Sequence, residues 1–392
     1  MNKECYNNAM RLESYDLAAF ARKLYDLNKE QVWNVLSDDD YQHINRVIAT
    51  GCGDSYCAAL AAQYVFRELT GEKAYGLTAM DVSRFFDSRN LKDTLFLGVS
   101  SRGRTSRVVE AAMRVKKLGY NCKSIAIVNA PTEGSELEKE CDCAVPIIMP
   151  KFECGVYNEM APYQRRYYST MFILILFAIR MGVAKGKYDR TQAEKYTEDV
   201  LRYTESFNHK VLDLIDIKMW NLAQKWSNIM KYEVVASSKQ QATAWFSAAK
   251  SVEAFGAVST YDDAGNWLSS NIKISGQDIA SILYVSKDDP QEKLLVSTAF
   301  EMSEHREHLL IITDIQDLKL PVNSEVVRIP TGTLKWAKPL MQYCPLGCLC
   351  GYIAKIRGAN FYRRGPGDIH EIEKIHSNIS ESIINQPLVL IK

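Results

Sequence analysis

Val47-Ile-Ala-Thr-Gly-Cys-Gly-Asp-Ser55 and Leu95-Phe-Leu-Gly-Val-Ser-Ser-Arg-Gly-Arg-Thr105 are the two stretches that decide the fold of this chain. In each, a short apolar run typical of a buried strand passes directly into glycine and hydroxyl residues. Glycine lets the backbone turn its N–H groups inward, and a helix that begins there presents the positive end of its dipole. Two such turns in one parallel sheet meet at one edge, so the pattern predicts a pocket for a phosphate ester.

The residues that we expect to bind the phosphate are Gly53, Ser55, Ser100, Ser101, Arg102, Gly103 and Thr105. The hydroxyls would donate hydrogen bonds, and Arg102 or Arg104 would add a fixed positive charge. An alternative is that the Ser and Thr residues only cap helices, where both residue types are favoured. A dinucleotide site is set aside, because Tyr56 stands where that fingerprint needs a third small residue.

Short β-branched runs alternate with helical periodicity in both halves of the chain, which predicts α/β units with parallel sheets covered on both faces. The expected strands of the first half are 47–50, 74–78, 94–99, 124–129 and 144–149. Those of the second half are 233–237, 281–286, 309–313 and 326–329. The second half lacks the phosphate motif, since Ser286-Lys-Asp-Asp-Pro290 has neither the glycine nor the hydroxyl spacing.

This alternation predicts four segments. Residues 1–44 form a helical extension, 45–183 the phosphate-binding domain, 205–358 a second α/β domain, and 359–392 a tail that contributes to the site. The polar stretch 184–204 is expected to connect the two domains.

Composition limits the partners of the chain. With 48 Lys and Arg against 47 Asp and Glu, and without a basic run, nucleic-acid binding is not expected. The start of the chain has no apolar leader, and the most apolar stretch, 171–179, is far shorter than the ~20 residues of a membrane span. We therefore expect a soluble cytoplasmic protein whose ten cysteines are reduced thiols rather than metal ligands.

The motifs Gly53-Asp-Ser55 and Ser100-x-x-Gly-x-Thr105, the repeat and the C-terminal helix resemble the tandem sugar isomerase (SIS) domain proteins. These include the isomerase half of glucosamine-6-phosphate synthase and the fructosamine-6-phosphate deglycases. The resemblance covers about 46–364, and it is strong in the first copy and thin in the second. It implies two tandem flavodoxin-like SIS domains, each a five-stranded parallel sheet in a three-layer αβα sandwich, and homodimers or higher homo-oligomers with sites near subunit boundaries. Arg102 departs from the family, which has serine there.

The resemblance also implies a catalytic glutamate on the first helix of the second copy. Glu253 aligns with it, and Lys250 lies one turn earlier on the same face. The family's His-Gly-Pro element is absent from Asp263-Ala-Gly-Asn-Trp-Leu-Ser-Ser270, and its ring-opening lysine lies in a C-terminal tail, where this chain has His370 and Lys374. On residue type alone, Glu253 is more often a solvated or ion-paired helix residue, and His370 beside Glu371 and Glu373 a surface pair.

These observations predict an enzyme that acts on a hexose or amino-sugar 6-phosphate by enolisation, without a cofactor or a metal. Glu253 would move a proton beside a carbonyl or imine, and Lys250, His370 or Lys374 would serve ring opening or oxyanion charge. Isomerisation, deamination and cleavage of a fructosamine phosphate remain open. The alternative is a regulatory protein that binds a sugar phosphate without catalysis.

Overall fold

The structure, a computed structural model, describes residues 7–85, 91–119, 121–129, 134–152, 161–274 and 276–363. The chain divides into two compact units. Within the described residues, the first-sheet unit comprises 20–151 and 166–200, and the second-sheet unit comprises 7–19, 152, 161–165 and 201–363. The domain boundaries expected from the sequence remain a prediction.

In the first-sheet unit, β-branched and apolar runs form a parallel sheet of the order β2-β1-β3-β4-β5. Its strands are β1 Arg46–Gly51, β2 Lys73–Thr78, β3 Thr94–Val99, β4 Lys123–Asn129 and β5 Cys143–Ile147. Its helices are α1 Ala9–Asn34 (from residue 20), α2 Asp38–His43, α3 Asp54–Thr70, α4 Ser106–Leu118, α5 Glu136–Glu140, α6 Gln164–Ala184 (from residue 166) and α7 Arg190–Glu205 (to residue 200). All six residues of β3 are buried, as the central strand of a sheet covered on both faces requires.

The second-sheet unit repeats this topology, with the order β10-β9-β8-β6-β7. Its strands are β6 Lys231–Ala236, β7 Val258–Asp263, β8 Ile279–Val285, β9 His308–Thr313 and β10 Glu325–Arg328. Its helices are α8 His209–Trp226, α9 Gln241–Phe255, α10 Ala264–Ser269, α11 Glu292–His305 and α12 Cys344–Ile356. Numbered within each copy, both sheets have the order 2-1-3-4-5 of flavodoxin-like folds. The predicted fold class is therefore confirmed.

Each sheet carries an apolar core of its own. Ile48, Phe96 and Val128 of the first sheet pack against Val108 and Ala112 of α4. In the second-sheet unit, Val235 and Leu283 pack beneath Trp267 of α10 and Leu295 of α11. In a parallel sheet the strands all end at the same edge, so these cores hold the two glycine-containing turns of the first copy side by side.

Two expectations need correction. Strand β7 was missed by sequence patterning, because it is an edge strand with polar, partly exposed positions rather than a buried apolar run. Sequence analysis expected no stretch long enough to span a membrane, yet helix α6 is long and apolar enough to do so by length and composition alone. In the structure, however, 94% of its most apolar stretch is buried inside the protein, as in a core helix.

Candidate active site

The first predicted phosphate turn joins β1 to α3. Gly53 has φ +56° and precedes the helix, and its carbonyl accepts the N–H groups of Tyr56 and Cys57, both at 3.0 Å. A positive φ is strained for residues with a side chain, which explains the glycine. Ser55 is half-buried in the first turn of α3, so its hydroxyl lies at the carboxyl edge of the sheet.

The second turn joins β3 to α4 and is closed by its own hydrogen bonds. The N–H of Gly103 donates to the carbonyl of Ser100 at 2.9 Å, and the hydroxyls of Ser100 and Thr105 lie 2.9 Å apart. Ser100 is buried, whereas Arg102 at the tip of the turn is exposed. The turn is thus a preformed loop rather than an open segment.

The alternative that the Ser and Thr hydroxyls only cap helices does not fit the geometry at Thr105. Thr105 occupies the N-cap position of α4, but its side chain makes no capping hydrogen bond to the helix and contacts Ser100 instead. Helix α3 also begins without a side-chain cap. In both helices, therefore, the N-cap side chain accepts no hydrogen bond from the N–H groups of the first turn, and these groups lie at this edge of the sheet.

Two residues that sequence analysis did not single out support the second turn. Asn129, at the end of β4, donates its side-chain amide to the hydroxyl of Ser101 at 2.8 Å, and its backbone N–H donates to the carbonyl of Ser101 at 3.0 Å. Ser135 lies against Gly103. The signal that could have identified Asn129 is its position at the end of β4. Because β4 pairs with β3, the end of β4 must lie beside the turn that follows β3.

Gly103→Ala is expected to distort this turn and to destabilise the protein by about 1–3 kcal/mol. Gly103 has φ +63°, and an added Cβ would lie 2.1 Å from the hydroxyl oxygen of Ser135. Urea unfolding of the variant measures the loss. Gly186→Ala is the matched control, since it has a similar φ of +65° with no atom within 4 Å of an added Cβ. An equal loss in both variants would show that backbone strain, and not the contact with Ser135, is responsible.

The second copy has a carboxylate at the corresponding position. Asp289, just before α11, accepts a hydrogen bond from the hydroxyl of Ser237 at 2.6 Å and another from the N–H of Gln291 at 2.8 Å. Ser237 follows β6 as the Gly51–Gly53 turn follows β1. At this edge of the second sheet, a carboxylate of the chain itself thus accepts these hydrogen bonds. Its negative charge would repel a bound anion.

Glu253 and Lys250 form an ion pair in the second-sheet unit, with Nζ 2.6 Å from Oε2. The lysine side chain is 1% exposed and that of Glu253 29% exposed. The glutamate lies in the last turn of α9, about 18 Å along the helix from its first residue. It is therefore not at the carboxyl edge of its own sheet, which the sequence did not reveal.

The surroundings of this ion pair are apolar. The Lys250 ammonium lies 4.5 Å from the ring centre of Phe246, whose ring packs edge-on against Tyr343. Burial raises the pKa of the nearby Cys350 thiol far above its ordinary value, so this thiol is protonated. An ammonium in such a place is stable because the Glu253 carboxylate neutralises it.

The other candidates are placed as follows. His370 and Lys374 lie outside the described residues, so their roles stay predictions. The thiols of Cys344, Cys348 and Cys350 are buried in α12, with pKa values raised by burial, as expected for structural cysteines. Within the described ranges, no group of three or more His, Cys, Asp or Glu residues is arranged to hold a metal ion.

Comparison with known proteins agrees with this description. Residues 40–179 match the SIS domain family. A glutamine–fructose-6-phosphate aminotransferase (isomerizing) of Caldanaerobacter subterraneus is 24% identical over 332 residues, which are 83% of this chain and 51% of that protein. The corresponding enzyme of Fusobacterium nucleatum is 25% identical over 204 residues, 51% of this chain and 32% of that protein. The chain thus spans about a third of the length of one of these relatives and about half of the other.

Solved structures show the same fold over nearly the whole chain. The C-terminal domain of the Francisella tularensis glucosamine-fructose-6-phosphate aminotransferase has a TM-score of 0.74 and 18% identity, covering 92% of this chain and 99% of that one. Escherichia coli tagatose-6-phosphate ketose/aldose isomerase has a TM-score of 0.67 and 13% identity, with 90% and 94% covered. Residues 40–179 thus match the SIS domain family, and the second-sheet unit repeats the fold of the first-sheet unit.

Proposed function

We propose that this protein is an enzyme of the phosphosugar isomerase, deaminase or deglycase kind, acting on a hexose or amino-sugar 6-phosphate. The observation that carries the proposal is the Lys250–Glu253 ion pair in apolar surroundings, together with the two preformed turns of the first copy. The names of similar proteins, which include isomerizing aminotransferases and a ketose/aldose isomerase, support it.

The proposed chemistry is proton transfer between neighbouring carbons. The Glu253 carboxylate removes a proton from the carbon beside a carbonyl or imine, and the electron pair of the broken C–H bond forms the enediol or enamine. Returning the proton to the other carbon completes an aldose–ketose interconversion. The interconversion needs no oxidant and no net proton from water, because the hydroxyl proton of the enediol passes to solvent or its neighbour as the new carbonyl forms. Deamination or cleavage of a fructosamine phosphate also consumes one water, which hydrolyses the imine formed after proton transfer and releases the amine.

Lys250 holds the glutamate rather than reaching the substrate, since its side chain is 1% exposed. This differs from the expectation that Lys250 opens the ring or stabilises an oxyanion directly. The ammonium pairs with the carboxylate and fixes its position on α9. Ring opening is left to the tail, where His370 and Lys374 stay the candidates.

In the first copy, we assign the phosphate to Ser55, Ser100, Ser101, Arg102 and Thr105, with Gly53 and Gly103 shaping the turns. Backbone N–H groups at two helix starts and hydroxyls around them suit a phosphate dianion. The exposed Arg102 adds charge at the mouth of the turn.

Arg102→Ala is expected to weaken binding of fructose 6-phosphate by about 1–2 kcal/mol, the contribution of a charged hydrogen bond reduced by solvent screening. Isothermal titration calorimetry at low and high salt measures this loss of binding free energy. Lys116→Ala removes an exposed charge from the far end of α4 and serves as the control. Unchanged affinity in the Arg102 variant would remove this residue from the phosphate site.

A non-catalytic sugar-phosphate-binding protein is the second candidate, and one observation favours it. The stretch in the place of the family's His-Gly-Pro element forms the short helix α10, capped by Asp263, and the sequence has no histidine between His209 and His305. Proton NMR in D2O distinguishes the candidates. Deuterium at C1 or C2 of fructose, glucose, glucosamine or fructosamine 6-phosphates indicates an enzyme, whereas binding without exchange indicates the regulatory protein.

A further inference from the structure

Phe246, which sequence analysis did not single out, lies one helical turn before Lys250 on α9. The Lys250 ammonium lies 4.5 Å from the centre of the Phe246 ring. This is well inside the ~6 Å over which the negative face of an aromatic ring attracts a cation. Phe246 and the side chain of Lys250 are each 1% exposed. Because water is excluded from both partners, the attraction is of the strong, desolvated kind.

The ring and the Glu253 carboxylate hold the same ammonium. Phe246, Lys250 and Glu253 follow one another at the i, i+4, i+7 spacing that places side chains on one face of a helix. The lysine Nζ is 2.6 Å from Oε2 of Glu253. Since an ammonium that has lost its hydration is costly, the ring face and the carboxylate together offset this cost. The place of the Lys250 charge, and with it that of the carboxylate, therefore depends on the ring.

The ring of Phe246 has a fixed place between α9 and α12. It packs edge-on against Tyr343, with ring centres 4.7 Å apart and planes at 61°, an arrangement that aromatic pairs favour. Tyr343 is 1% exposed and directly precedes α12, where its carbonyl accepts the N–H of Leu346 at 2.9 Å. Next to Phe246, the hydroxyl of Ser247 lies 2.7 Å from that of Tyr284 in β8. This turn of α9 is thus held by the sheet and by the start of α12.

We propose that Phe246 is a positioning residue, which holds the Lys250 ammonium in place so that the Glu253 carboxylate is aimed at the substrate carbon. The inference rests on the proposed function, in which Glu253 is the base. Phe246 is buried and acts through Lys250 rather than by touching the substrate. A small displacement of a base slows proton transfer but leaves substrate binding nearly unchanged. The effect of the ring is therefore expected in kcat and not in KM.

The test replaces Phe246 in the full chain by mono-, di- and trifluorinated phenylalanine. Fluorine withdraws electron density from the ring face and weakens its attraction for an ammonium in steps, while the ring keeps nearly the same shape. The reaction followed is deuterium incorporation into whichever of fructose, glucose, glucosamine and fructosamine 6-phosphates exchanges fastest. Its kcat is expected to fall with each step, to about a tenth at the trifluorinated ring, with KM within about twofold. The same replacements at Phe96, buried in the first sheet, are the control and should leave kcat unchanged.

Urea unfolding tests the contact itself without reference to activity. The trifluorinated ring should lower the stability of the protein that has Lys250 more than that of Lys250→Met, because the methionine side chain has no charge for the ring to attract. An equal change in both backgrounds would show that the ring packs only as part of the apolar core, and it overturns the inference.

The kinetic outcomes separate this inference from the function on which it rests. A constant kcat along the series, with deuterium still incorporated by the unaltered protein, overturns the inference and leaves the proposed function standing. A rise in KM alone, or an equal loss of kcat from fluorination at Phe96, overturns the inference as well. If the unaltered protein exchanges deuterium into none of these sugar phosphates, both the proposed function and the inference are overturned.

Discussion

Glu253→Gln should lower deuterium incorporation at C1 or C2 of the substrate by roughly 10²–10⁴-fold, the usual contribution of a general base. The amide has nearly the same shape but accepts no proton at neutral pH. Proton NMR in D2O measures the rate, and calorimetry on the same ligand should show affinity within about threefold of the unaltered protein, because Glu253 is not among the residues assigned to the phosphate. Glu301→Gln, which removes an exposed carboxylate from α11, is the control.

The buried lysine must be considered in this experiment. Glu253→Gln leaves the Lys250 ammonium without its carboxylate while it is 1% exposed, so part of any loss could come from local unfolding. The double variant Lys250→Met/Glu253→Gln removes both charges and should be folded but inactive. Exchange at the unaltered rate in either variant would exclude Glu253 as the base. Activity restored in the double variant would do the same, by attributing the loss to the unpaired lysine.

Arg306→Met should destabilise the second-sheet unit by about 3–5 kcal/mol, since it leaves the Glu233 carboxylate buried and unpaired. Arg306 is 0% and Glu233 4% exposed in side chain, with Nε 2.7 Å from Oε1. The guanidinium also donates to the carbonyls of Ile274, His305 and Asn271. These bonds join β6, the end of α11 and the segment after α10.

Urea unfolding followed by circular dichroism measures this loss. The control is Lys225→Met, which breaks the exposed ion pair with Glu325 and should cost no more than about 1 kcal/mol. Glu233→Gln/Arg306→Met removes both buried charges and should recover part of the stability. A loss in Arg306→Met no larger than in the control would show that the carboxylate is stabilised by other groups, with Ser281, which donates to it at 2.6 Å, the first to test.

Much of the fold could be predicted from sequence because its signals are local. Strands such as β3 are apolar throughout, and the change from a strand run to glycine and hydroxyl residues marks where each helix begins. Strand β7 lacks such a signal. Its place at the sheet edge leaves Val258 and Tyr261 partly exposed and tolerates Ser, Thr and Asp, so it is recognised only by its pairing with β6.

In the candidate site, too, some features follow from local sequence and others depend on the fold. The turn residues Gly53, Gly103 and Thr105 follow from short-range requirements of backbone geometry. The sequence by itself thus determined the α/β class, the two copies, the glycine-containing turns of the first copy and the i, i+3 spacing of Lys250 and Glu253.

Tertiary structure decided the environment of those residues. It showed that Lys250 is buried, that Asp289 accepts the hydrogen bonds of the second copy's edge, and that Arg84 meets Glu110 across 26 residues of chain. Burial and charge neutralisation depend on side chains that the sheet order brings together from distant parts of the sequence, and no local pattern encodes that order.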